Sequence, residues 1–307
     1  MGTPDFAATV LTALVVGGHE VALVASQPDR PKGRGRHLAA TPVKETALAH
    51  GLPLVQPESP KDASFLDKIE QIQPDAIIAV AYGRILPPVL LALPPLGCLN
   101  IHASLLPAYR GAAPIQWSII NGEREVGVSV MRMDAGLDTG AILLQKIIRP
   151  AADETAGTLF AKLADLGAAA LLETLALLTT GDIIAKSQDD RLASRAPALK
   201  KEDGLIDWAR PAKELHCLVR GLDPWPTAFS YLEGKKLQFF APEVVYQGVS
   251  RLPGTVLFAD KRGLLVACGE NALLLHEVQA AGKKRLPVAS FLLGQKIAAM
   301  SRFTATP

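Results

Sequence analysis

Short apolar runs alternate with amphipathic stretches through the first two thirds of the chain. Residues 21–26 (VALVAS) read as a buried strand, and 54–56 and 98–102 as two more. Residues 75–82 (DAIIAVAY) form a continuous apolar run of strand length, the pattern of a central parallel strand covered on both faces. Residues 42–50, 64–71, 113–121 and 158–178 read as helices. Thr41 is placed to cap the first of them, with Pro42 in its first turn, and Gly122 closes the third. Residues 126–133 and 141–148 read as strands around a Gly-containing turn. Strands alternating with helices predict an α/β domain on a largely parallel sheet.

The texture changes near residue 189. Residues 189–203 are polar and lack a clear period, which predicts a linker. Beyond it, apolar runs at 237–240, 255–258, 264–268 and 273–277 are separated by Gly-, Pro- and Asn-containing turns. That spacing predicts a small antiparallel barrel.

Composition narrows the class. The chain has 307 residues, 49% of them apolar and 20% charged, enough to bury a sizeable core. Mean hydropathy is +0.22, yet no uninterrupted apolar run nears the ~18–20 residues a membrane helix needs. Three widely spaced cysteines, Cys98, Cys217 and Cys268, fit neither a disulfide framework nor a structural zinc site and suit a reducing cytoplasm. Residues 1–199 carry 17 Lys/Arg against 20 Asp/Glu, whereas residues 200–307 carry 15 against 10. The basic last third suits either a polyanion partner or a solvated surface. Residues 30–36 (RPKGRGR) form a separate basic cluster, read as a mobile loop that touches phosphate or is simply solvated.

The chemistry-bearing window is residues 97–140. Asn100 and His102 stand two apart on a predicted strand and so share a face. They sit at the C-terminal end of that strand, where open α/β sheets place ligands. Taken alone, the pair fits equally a histidine hydrogen-bonded at a sheet end. The following ASLLPAYRGAAPIQW builds an irregular, apolar-walled loop suited to a flat heteroaromatic ligand. Asp138, in GLDTG, is either a turn residue or a carboxylate brought against His102 that would fix its tautomer. Asn100 would then add a neutral donor for a developing oxyanion. The chain lacks a P-loop, a G-x-G-x-x-G and a G-x-S-x-G motif, so nucleotide hydrolysis, dinucleotide redox and serine hydrolysis are unsupported. The remaining histidines (His19, His37, His50, His216 and His276) show no metal-ligand spacing, and no metal is expected.

The motifs GTPDFAA (2–8), SQPDRPKGRGR (26–36), VAYGRILP (80–87), LNIHASLLPAYRGAAPIQW (99–117) and MDAGLDTG (133–140) resemble those of the bacterial methionyl-tRNA formyltransferases, a branch of the folate-dependent formyltransferases. The likeness continues through IDWARPAKELHCLVRGLDPWPTAF (206–229), PGTVL and AGKKRLP, and so covers essentially the whole chain. It implies a Rossmann-like, doubly wound, mostly parallel sheet over residues 1–188, a linker over 189–204, and an OB-like β-barrel over 205–307 that binds tRNA. It implies formyl transfer from 10-formyltetrahydrofolate to the α-amino group of methionyl-initiator tRNA at the start of translation, in the cytoplasm, by a monomer with no metal and no membrane partner.

Residue by residue, the resemblance assigns catalysis to Asn100, His102 and Asp138. It assigns folate binding to Ser104, Leu105, Leu106, Pro107, Tyr82 and Gly83. It assigns tRNA contact to Arg30, Lys32, Arg34, Arg36, Lys283, Lys284 and Arg285, with Arg34 matching the key arginine of an insertion loop. The triad and the SLLP turn do not name the acceptor, because sugar-nucleotide formyltransferases share them; a non-catalytic RNA-binding protein is the third reading. In the family a central strand precedes GTPDF. Here the chain opens Met1-Gly2, so two neighbouring strands are expected to face each other unpaired.

Overall fold

The computed structural model describes residues 1–32, 37–248 and 250–306. The chain forms two compact units. The first comprises Met1–Gly111, Glu125–Ile148 and Phe160–Ala196; the second comprises Ala112–Arg124, Arg149–Leu159 and Pro197–Pro307.

In chain order the first 200 residues supply α1 (Asp5–Val16), β1 (Val24–Ala25), β2 (Arg30–Lys32), β3 (His37–Ala39), α2 (Pro42–Ala49), β4 (Leu54–Val55), α3 (Ala63–Ile72), β5 (Ile77–Ala79), α4 (Pro88–Ala92), β6 (Cys98–His102), β7 (Arg110–Gly111), α5 (Pro114–Ile120), β8 (Val126–Arg132), β9 (Ile142–Ile148), α6 (Ala156–Thr180) and β10 (Arg195–Ala196). Local chemistry accounts for several of them. The Thr41 hydroxyl accepts from the Lys44 N–H at 3.1 Å, and Pro42 occupies the first turn of α2, as the sequence predicts. In α1, Phe6, Ala7, Val10 and Leu11 are all buried, the spacing of one apolar helix face. α6 is long and apolar enough to cross a membrane by length and composition, although Lys162, Asp165 and Glu173 interrupt its apolar run. It instead buries Leu159, Leu163, Ala170 and Leu171. Gly167 brings it close over β6, where a Cβ would meet Ile101 Cγ2 at 2.9 Å.

The first unit has a parallel sheet core that continues into antiparallel strands. β1 pairs with β4 in parallel and β5 with β6 in parallel, but β6–β8 and β8–β9 are antiparallel. A short connection such as residues 133–141 can join only antiparallel neighbours; parallel strands need a crossover of a dozen residues or more. Between β1 and β5 the ladder is interrupted. Among the described residues Met1 and Gly2 span it: the Met1 amino group donates to the Ile78 carbonyl at 2.6 Å, Val80 N–H to the Met1 carbonyl at 2.9 Å, and Gly2 N–H to the Ala25 carbonyl at 3.0 Å. Beside this splice lies a cavity of about 440 Å³ lined by Val10, Leu14, Leu23, Ile77 and Leu175 among others.

The second unit adds α7 (Ala212–Gly221), β11 (Ala228–Leu232), β12 (Lys235–Val245), β13 (Val256–Asp260), β14 (Gly263–Ala267), β15 (Ala272–Ala280), β16 (Leu286–Pro287) and α8 (Val288–Leu292). The antiparallel order is β11-β12-β15-β14-β13, with β16 also on β15. Its core holds Trp208, Phe239 and Phe303, whose ring centroids lie 5.3–5.7 Å apart, with the Trp208 indole N–H on Ser230 Oγ at 3.1 Å. Among the described residues this sheet does not close into the expected barrel. Single bridges from Thr304 to Tyr231 and from Arg302 to Thr255 stand between its two edge strands.

The expected linker at 189–204 is likewise corrected. β10 lies within it and pairs in parallel with β7, because Tyr109 N–H and Arg110 N–H reach Ser194. The segment up to Ala196 therefore belongs to the first unit.

Candidate active site

β6 delivers the site. Its alternation places Leu99 and Ile101 in the core and Asn100 and His102 on the other face, at the strand's C-terminal end. His102 is buried, and its Nε2 meets the Tyr109 carbonyl at 2.8 Å. A carbonyl only accepts, so Nε2 carries a proton. Nδ1 faces Asp138 Oδ2 at 3.7 Å.

Asp138 is also buried and adopts a left-handed backbone, φ 54°. Its Oδ2 accepts from the Gly111 N–H at 2.9 Å. The segment 109–111 thus touches both residues: the Tyr109 carbonyl holds the imidazole and the Gly111 amide holds the carboxylate. Asp138 thus lies at ion-pair range of His102, while its closest hydrogen bond is to backbone.

The SLLP turn is built by side chains the sequence reading overlooks. Ser129 of β8 is fully buried; its Oγ donates to the Ser104 carbonyl at 2.7 Å and accepts from the Leu106 N–H at 3.0 Å. Gln145 of β9 donates to Ser129 Oγ at 2.8 Å and to the Leu106 carbonyl at 3.0 Å. Ser104 Oγ closes the turn on the Ala108 carbonyl at 2.6 Å. The available signal was a lone hydroxyl in VGVSVM and an amide beside Lys146 in ILLQKII. Gln188, which bonds Asp138 and Arg110, carried no local signal in its polar stretch.

Tyr82 and Gly83 follow β5, and since β5 and β6 are parallel neighbours they leave the same sheet edge as His102. The Tyr82 carbonyl accepts from Gln27 Nε2 at 2.7 Å, and burial raises the pKa of its phenol. Gly83 has φ 76°, so a side chain there would be strained, and its Cβ would displace the Gln27 amide.

The basic cluster divides. Arg30–Lys32 pairs antiparallel with His37–Ala39, so these flanks form a hairpin and not the expected loop, while Arg34 and Arg36 fall outside the described residues. The hairpin base is fixed: Asp29 accepts from Lys44 Nζ at 2.6 Å and Gln56 Nε2 at 2.8 Å, which holds its carboxyl below the usual range. In the second unit Lys283 and Lys284 are exposed, but the Arg285 guanidinium bonds Asp223 and Glu277 and stacks on Phe240 at 4.0 Å. Arg285 is therefore engaged internally, unlike the two lysines. Among the described residues no cluster of three or more His, Cys, Asp or Glu side chains could hold a metal ion.

The formyl transferase family matches residues 1–175, and the formyl transferase C-terminal domain family matches residues 198–296. The methionyl-tRNA formyltransferase of Desulfotalea psychrophila is 57% identical over 299 residues, 97% of this chain and 93% of that protein. The methionyl-tRNA formyltransferase of Geobacter sulfurreducens is 48% identical over 297 residues, again 97% of this chain and 93% of that one. The chain belongs to the methionyl-tRNA formyltransferase family. More distant members of the formyltransferase fold resemble it in shape. WlaRD, a sugar 3N-formyl transferase, superposes with TM-score 0.66 at 16% identity, covering 92% of this chain and 97% of that one. HypX from Aquifex aeolicus in complex with tetrahydrofolic acid gives TM-score 0.58 at 20% identity, covering 80% of this chain and 43% of that one. These two share the fold with the methionyl-tRNA formyltransferases.

Proposed function

We propose that this protein transfers the formyl group of 10-formyltetrahydrofolate to the α-amino group of methionyl-initiator tRNA in the bacterial cytoplasm. The acceptor amine attacks the formyl carbon, forming a C–N bond and a tetrahedral oxyanion. The Asn100 amide and the His102 ring stabilise that oxyanion. Asp138 orients His102. Collapse breaks the bond from carbon to N10 of the folate. The proton lost by the amine goes to N10, through His102 or a water. Holding both substrates together supplies part of the rate, up to ~7–11 kcal/mol in well-oriented cases.

The turn Ser104, Leu105, Leu106 and Pro107, with Tyr82 and Gly83 on the same sheet edge, takes the folate. Arg30, Lys32, Arg34 and Arg36 on one unit, and Lys283 and Lys284 on the other, take tRNA phosphates. The second unit acts as the OB-like module of the family. The observation that carries this reading is the convergence of His102 and Asp138 on the 109–111 segment beside the SLLP turn. The test is a formylation assay with methionyl-tRNA and small amines, including an amino-sugar nucleotide, in parallel. Formyl transfer to methionyl-tRNA alone is expected; transfer to the amino sugar and not to the tRNA would overturn the assignment.

A further inference from the structure

Gln188 lies far along the chain from the site, yet its side-chain amide spends every hydrogen-bonding group on it. Nε2 donates to the Asp138 carbonyl at 2.9 Å and to the Gly140 carbonyl at 2.7 Å. Oε1 accepts from Arg110 Nε at 3.1 Å and Nη2 at 2.8 Å. The amide orientation is unambiguous, because the flipped form would set an NH₂ against a guanidinium and an oxygen against two carbonyls. Arg110 Nη2 also meets Asp190 Oδ1 at 2.8 Å, so the guanidinium is itself held in place.

These bonds close a ring. Arg110 is flanked by Tyr109, whose carbonyl holds the His102 ring, and by Gly111, whose amide holds the Asp138 carboxylate. Gln188 ties the Arg110 side chain to the backbone of the Asp138 turn. The turn needs such a tie: Asp138 sits in the left-handed region, which a non-glycine residue occupies only when its surroundings hold it there.

We propose that Gln188 is a positioning residue for formyl transfer, setting the Asp138 carboxylate against His102 by fixing the Asp138 turn to Arg110. The proposal rests on Asp138 acting in the reaction. Gln188→Glu separates the two halves of the amide: a carboxylate still accepts from Arg110 but sets negative oxygen against two carbonyls. Gln188→Asn keeps the amide and loses reach. Both are compared with wild type and with Asp138→Asn in steady-state kinetics, each substrate varied in turn, alongside thermal melting. The kcat of Gln188→Glu is expected to fall ~10- to 10²-fold, the scale of a misplaced group. Both KM values should stay within about twofold and melting should be near wild type, the pattern of an interaction felt in the transition state. Gln188→Asn should fall between the two.

Wild-type kcat in Gln188→Glu, or a loss carried wholly by KM, overturns the proposal. So does unfolding of both Gln188 variants, which would make the amide a structural strut. If Asp138→Asn itself keeps wild-type turnover, the fault lies in the reading of Asp138, and a Gln188 effect would need another explanation.

Discussion

Two places on the sheet of the first unit are built in opposite ways. At the C-terminal end of β6, the turn at 104–107, the segment at 109–111 and the loop at 134–140 are tied by Ser129, Gln145 and Gln188 through bonds of 2.7–3.1 Å. Between β1 and β5, among the described residues only Met1 and Gly2 bridge the strands, and a cavity of about 440 Å³ lies beside them. The site does not draw its order from a continuous ladder. It draws it from polar side chains on β8 and β9 and from a segment that arrives after α6. Chemistry and sheet stability are therefore expected to respond to different substitutions.

The largest effect is expected from His102→Ala, which should lower kcat ~10²-fold or more through loss of an acid–base and oxyanion-stabilising group. Melting should change little. Turnover near wild type in that variant would remove His102 from the mechanism.

Ser129→Ala breaks the scaffold and leaves the reacting groups in place. It strands the Leu106 N–H and the Ser104 carbonyl in a buried region, at ~1–3 kcal/mol for each group left unpaired. The folate KM should rise about tenfold, the equivalent of 1.4 kcal/mol. An unchanged folate KM would show that the turn holds its shape without Ser129.

The interrupted ladder offers the converse test. Joining five to eight apolar residues ahead of Met1 gives β1 and β5 a strand to share, and each buried apolar side chain contributes ~1.5–3 kcal/mol before entropy is subtracted. Melting should rise by several degrees while kcat stays put. A variant that melts no higher would show that the cavity does not accept a strand.

The smallest effect lies in the second unit. Burial and the neighbouring Arg220 push His216 down from 6.5 to about 4, and its Nδ1 accepts from Arg220 Nε at 3.3 Å. The unfolded chain takes up that proton at a higher pH than the folded one does. Stability should therefore fall as pH drops from about 6.5 to about 4. His216→Gln should flatten that slope, and an identical slope in wild type and variant would assign the loss to other groups.

What could be read from the chain follows from how local each feature is. Asn100 and His102 were legible because a period of two and the sheet-edge rule need only a handful of adjacent residues. The α2 cap was legible for the same reason. α7 was also within reach, since Leu215, Leu218, Val219 and Leu222 repeat at helical spacing and are buried. The antiparallel turn of the sheet beyond β6 was hidden, because apolar runs do not state a strand's direction. Gln188 was illegible: its partners stand 48–78 residues away, and only the folded chain shows that a polar stretch before β10 returns to the site.

The most direct measurement is single-turnover formyl transfer by Asp138→Asn, with folate binding followed in the same preparation. The substitution keeps the shape of the side chain and removes its charge beside His102. Folate should bind as in wild type, while the transfer step to methionyl-tRNA should slow by ~10²-fold or more. Transfer at the wild-type rate, or a loss explained entirely by weaker folate binding, would contradict the role of the His102–Asp138 pair.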